Sequence, residues 1–181
     1  MSKKFMLTTV AVIVATHLLA QQKDTATQIL EPLIVTANRY EQKQSTTGKV
    51  ITVIDKATLE KNAGKNLGQL LTEQAGIVVA GAYNAPGSVQ TIFTRGANAG
   101  RTLILIDGIP VTDPSNITND FDINLFSLND IEQIEVCRGA QSTLYGSDAI
   151  AGVINIITTK NNVRKPVNVK TTLSYGSLNT L

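Results

Sequence analysis

The chain has 181 residues, with 16 Lys and Arg against 14 Asp and Glu, one His, one Cys and no Trp. Lys3 and Lys4 supply the whole basic excess and sit in a leader, so the mature chain is formally neutral and lacks the basic field that non-specific nucleic-acid binding needs. The single cysteine, Cys137, excludes an internal disulfide, and the only histidine, His17, lies in the leader, so no catalytic histidine is expected in the mature protein.

The leader is residues 1–20: a basic start, then an apolar run from Phe5 to Ala15 that is too short for a bilayer span of about 20 residues. Cleavage is expected after Ala20, although Leu18 is a poor small-residue match at the −3 position. Gln21 to Gln28 is polar and unpatterned and reads as disordered. Then comes E-P-L-I-V-T-A, residues Glu31, Pro32, Leu33, Ile34, Val35, Thr36 and Ala37. Proline cannot donate within a central strand, and Leu33 to Thr36 favour extended backbone. Such a segment is built to be offered to a partner as an added β-strand. The plain reading is a first strand of the domain.

The body alternates strands and short helices. Lys49 to Ile54 reads as a strand, and Asp55 caps a short helix through Lys61. Leu67, Leu70 and Leu71 mark one face of a second helix that stops at Gly76. Ile77 to Ala80 is a strand leading into the loop G-A-Y-N-A-P-G, and Val89, Thr91 and Phe93 alternate in the next, which ends at Arg95-Gly96. Thr102 to Ile106 is a continuous apolar strand closed by a turn over Asp107 to Pro110. A polar loop from Thr112 to Asp122 follows. Its acidic residues Asp113, Asp120 and Asp122 lack the spacing of an EF-hand and read as a solvated loop.

Ile131, Ile134, Val136 and Cys137 suggest a helical turn running into a strand that ends at Arg138-Gly139, with Glu132 and Glu135 on a solvated face and Cys137 buried. Gly146 and Gly152 bracket a turn in which Ser147 or Asp148 caps a short helical turn, and Val153, Ile154, Ile156 and Ile157 form a strand buried on both faces. Val167 to Tyr175 alternates apolar with polar residues, as a transmembrane β-strand does. No GxSxG, P-loop, CxxC or HExxH motif occurs, so no enzyme activity and no cofactor are expected.

Six segments carry a family resemblance: I-V-T-A-N-R, L-G-Q-L-L-T-E-Q-A-G-I-V-V, I-F-T-R-G, L-I-L-I-D-G-I-P, I-E-Q-I-E-V-C-R-G-A and Y-G-S-D-A-I-A-G-V-I-N-I-I-T. In order and spacing they resemble the plug domain of TonB-dependent outer-membrane receptors, most of all the cobalamin and siderophore receptors. The resemblance implies an α+β fold, a small mixed β-sheet with short helices, filling a barrel of about 22 strands. It divides the chain into a signal peptide (1–20), a disordered N-terminus with the TonB box (21–40, box 31–37), the plug (41–160) and the start of a transmembrane barrel (161–181). A complete barrel at about 10 residues per strand is far longer, so the chain reads as a fragment or truncated product.

The same resemblance implies roles. Glu31 to Ala37 is the TonB box, engaged by TonB and its inner-membrane energising complex. Arg95 and Arg138 pair with acidic residues on the inner barrel wall, a task suited to bidentate arginine. Tyr83, Asn84, Asn116 and Asn119 lie in loops that face the transported ligand, cobalamin or an iron–siderophore, and the barrel meets outer-membrane lipid. From another class, the alternative is a secreted soluble binding module that works without a barrel.

Overall fold

The computed structural model describes residues 33–160. The leader, Gln21 to Gln28, Glu31, Pro32 and the alternating run Val167 to Tyr175 lie outside the described residues. In chain order the elements are β1 (Leu33–Ile34), β2 (Gln42–Lys43), β3 (Val50–Ile54), α1 (Lys56–Lys61), α2 (Leu67–Thr72), β4 (Ile77–Ala80), β5 (Thr91–Thr94), β6 (Thr102–Ile106), β7 (Ile109–Val111), β8 (Ile131–Arg138), α3 (Ser142–Tyr145) and β9 (Gly152–Thr158). The expected α+β fold with a mixed sheet is what forms.

A five-stranded sheet in the order β3-β8-β9-β6-β7 dominates, with two-stranded ribbons β1-β2 and β4-β5 beside it. β6 and β9 run parallel and the remaining pairs antiparallel. The central strands are apolar at consecutive positions because both faces of the sheet are covered. One face carries Ile54, Ile104, Ile134, Val136, Ile154 and Ile156, packed with Leu59 of α1 and Leu67, Leu70 and Leu71 of α2. The other carries Ile51, Leu103, Leu105, Cys137 and Val153, packed with Ala149 and with Ile34 and Ala37 of the N-terminal segment.

Local chemistry accounts for the helix starts. Asp55 accepts a hydrogen bond from the Thr58 amide at 2.9 Å, as its capping role predicts. α2 opens with a full capping box: Asn66 Oδ1 accepts from the Gln69 amide at 2.8 Å, and Gln69 Oε1 accepts from the Asn66 amide at 3.1 Å.

Several expectations are corrected. The D-G-I-P segment is not all turn: Asp107 and Gly108, at φ 50° and 81°, make a two-residue hairpin with both central residues left-handed. Ile109–Val111 then pairs with β6, and Pro110 is tolerated because β7 is an edge strand. β5 starts at Thr91 rather than Val89; Ile92 and Thr94 are buried on one face, and Thr91 and Phe93 are half-buried on the other. A 3₁₀ turn at Leu128–Asp130 precedes β8, which is extended from Ile131 onward. The helical turn near Gly146 comes before that glycine, as α3, and Ser147 and Asp148 cap nothing. Gly152 is needed for close approach, since a Cβ there would meet the Cys137 carbonyl oxygen at 2.6 Å.

Candidate functional site

β8 alternates across the sheet, so Gln133, Glu135 and Cys137 point to the face covered by the N-terminal segment. Glu135 was expected on a solvated face, yet it is 0% exposed. Reading residues 131–138 at helical spacing groups Glu135 with Glu132. At strand spacing it falls beside Cys137, on a buried face.

Four donors surround the Glu135 carboxylate. The Val35 amide lies at 3.0 and 3.1 Å from its two oxygens, the Thr36 amide at 2.7 Å and the Thr36 hydroxyl at 2.5 Å. Gln133 Nε2 donates at 2.9 Å and also reaches the Leu33 carbonyl at 3.2 Å. A buried carboxylate is tolerated only when such donors replace its water.

The carbonyls of the segment are equally engaged. The Arg39 amide donates to the Val35 carbonyl at 2.9 Å, closing a turn in which Arg39 takes φ 64°. Tyr145 Oη donates to the Thr36 carbonyl at 3.0 Å, and Lys49 Nζ donates to the Ala37 carbonyl and to Gln141 Oε1. The Arg39 guanidinium lies 4.7 Å from the centre of the Tyr145 ring. Burial pushes the Tyr145 phenol above its ordinary range against the opposing pull of Arg39, and burial likewise raises the Cys137 thiol. Only Leu33–Ile34 is a strand, paired with Gln42–Lys43, and Val35 to Tyr40 forms turns. The expected extended run through Thr36 is therefore shortened, because side chains rather than a sheet ladder satisfy its backbone.

Beside this contact lies a cavity of about 240 Å³, lined by Leu33, Val35, Gln133, Glu135, Asn155 and Lys160 among others.

Arg138 and Arg95 form a second constellation. Arg138 is 9% exposed; its Nε donates to the Ala75 carbonyl at 2.9 Å and a terminal nitrogen to the Thr52 hydroxyl at 2.5 Å. Burial, and then the neighbouring charge of Arg95, lower its pKa from the ordinary arginine range. Arg95 is exposed, with φ 51° and its amide bonded to the Gly76 carbonyl at 2.7 Å. Among the described residues neither guanidinium has a carboxylate partner: the two ion pairs found there are Lys56–Glu132 and Lys65–Glu73.

The loop residues Tyr83, Asn84, Asn116 and Asn119 are all exposed, Tyr83 at 70%. The two loops meet at their bases, where Asp122 accepts from the Gln90 amide at 3.0 Å and Asp120 from the Thr91 hydroxyl at 3.2 Å. These acids are ties within the fold. Among the described residues no group of three or more His, Cys, Asp or Glu is placed to hold a metal.

The sheet-and-helix body thus carries an N-terminal segment docked on one face and, among the described residues, a pair of arginines without an acid partner. Residues 43–153 match the family model for the TonB-dependent receptor plug domain, and the chain belongs to that family. Over 148 residues it is 36% identical to the vitamin B12 transporter BtuB of Vibrio cholerae serotype O1, a match covering 82% of this chain and 23% of that protein. The chain thus spans about a quarter of the length of such relatives. Among solved structures, the FpvAI–pyocin S2 complex matches 72% of this chain and 16% of its own at TM-score 0.58 and 26% identity. The ferripyoverdine receptor of the Pseudomonas aeruginosa outer membrane shares the fold at TM-score 0.57 and 24% identity, covering 71% of this chain and 16% of its own.

Proposed function

We propose that this domain is the plug of an outer-membrane receptor that takes up a scarce, large ligand, cobalamin or an iron–siderophore, under the action of TonB. In this reading TonB engages Glu31 to Ala37 as an added strand and pulls, and the movement opens a path through a surrounding barrel. The outer membrane has no ion gradient of its own, so work done there must arrive mechanically.

The observation that carries this reading is the attachment of Leu33 to Ala37: hydrogen bonds and the buried side chains of Ile34 and Ala37 hold it to the domain, and among the described residues a two-residue ribbon is its only sheet pairing. A segment held in this way detaches without dismantling the five-stranded sheet. Arg95 and Arg138 support the barrel part of the proposal, since two nearby guanidiniums without an acid among the described residues are well matched by carboxylates on an enclosing wall. Tyr83, Asn84, Asn116 and Asn119 are exposed, as ligand-facing loop residues would be.

The test is Val35→Pro in the receptor that carries this domain. Proline removes the Val35 amide and prevents strand addition. Uptake of cobalamin or iron–siderophore should be lost while ligand binding stays at the wild-type level; undiminished uptake would overturn the coupling role of the segment.

A further inference from the structure

Strand addition requires free backbone groups along one edge of the segment, and successive residues of a strand present their amides to opposite edges. Here the amides of both Val35 and Thr36 are bound to Glu135, so neither edge is free. The carbonyls of Val35, Thr36 and Ala37 are bound to Arg39, Tyr145 and Lys49. We propose that Glu135 is a latch: its buried carboxylate holds the segment in a form that TonB cannot engage, and TonB and Glu135 compete for the same backbone amides. This rests on the reading of residues 31–37 as the TonB-binding segment.

The chemistry suits a reversible catch. Three of the four donors to Glu135 belong to Val35 and Thr36 and leave with the segment, while Gln133 remains. A charge stripped of its donors in a closed core would make departure prohibitive. Glu135 instead borders the cavity of about 240 Å³, room for several waters, with Lys160 also on its lining. The carboxylate can therefore be rehydrated as the segment leaves. While the latch is closed, the affinity of TonB is reduced by the fraction of molecules in which the segment is free.

Glutamine at position 135 keeps the shape but offers one acceptor oxygen, and it turns an amide donor toward the backbone amides. The experiment uses the 181-residue chain with a nitroxide at Leu33→Cys; Leu33 is 52% exposed, whereas the native thiol, Cys137, is 1% exposed. Label mobility and binding of the purified periplasmic domain of TonB are measured for wild type, Glu135→Gln and Thr36→Val. Glu135→Gln should mobilise the label and tighten TonB binding about 10-fold or more, and Thr36→Val, which removes only the hydroxyl donor, about 3-fold. A merely structural role for Glu135 would weaken binding, not strengthen it.

A label that stays immobile with unchanged TonB affinity in both variants overturns the latch; if Glu135→Gln does not fold, Thr36→Val decides alone. A label mobilised by Glu135→Gln in a chain that never binds TonB keeps the latch and sinks the coupling reading instead.

Discussion

The two faces of the five-stranded sheet are covered in different ways. On one, α1 and α2 lay Leu59, Leu67, Leu70 and Leu71 against the isoleucines of β6, β8 and β9, a continuous aliphatic core. On the other, a smaller apolar cluster takes in Ile34 and Ala37 of the N-terminal segment, and Glu135, Tyr145 and Lys49 add hydrogen bonds to the segment's backbone. Apolar burial is spread over many weak contacts and fails only with the whole element. Hydrogen bonds are short-ranged and directional, and another donor or water can replace them one at a time. The helix face rests chiefly on apolar burial, whereas the segment face adds directional hydrogen bonds to a smaller apolar contact.

The sharpest way to break this comparison is to damage each face in turn. Leu71→Ala, at a side chain with no exposure, should destabilise the whole domain by about 2–5 kcal/mol, read as a lowered thermal midpoint. Tyr145→Phe removes one hydrogen bond to the Thr36 carbonyl, worth about 1 kcal/mol. It should leave the thermal midpoint nearly unchanged and raise tryptic cleavage after Arg39 about 5-fold. Equal effects of the two substitutions on global stability would erase the distinction between the faces.

The smallest effect comes from pH. Tyr145 and Cys137 both lie on the segment face, and burial raises both groups. Each holds its proton more tightly folded than unfolded, so the folded chain binds more protons in alkaline solution and stability falls as pH rises. That loss should begin above about pH 9, where free thiols and then phenols ionise. Cleavage after Arg39 should rise before the global unfolding signal moves.

Much of this was legible along the chain. The Asp55 cap, the Leu67–Leu70–Leu71 stripe and the apolar runs at Thr102–Ile106 and Val153–Ile157 are local patterns, and each forms the expected element. Five of the six family motifs overlap the residues that match the plug model, and I-V-T-A-N-R lies ahead of them. Glu135 was not legible, because its two neighbouring patterns, helical with Glu132 and extended with Cys137, cannot be separated by spacing alone. Nor was the β6–β7 hairpin, where Pro110 reads as a turn residue until its position at a sheet edge is known.

By itself, then, the sequence determined the class: helix caps, strand periods and the ordered motifs are set by residues within a few positions of one another. Only the tertiary structure decided that Leu33 to Ala37 is held rather than free. Val35 and Glu135 stand 100 residues apart, and nothing in either neighbourhood signals the other until the sheet places β8 beneath the segment. A carboxylate becomes a latch only where folding removes its water and leaves backbone amides to replace it.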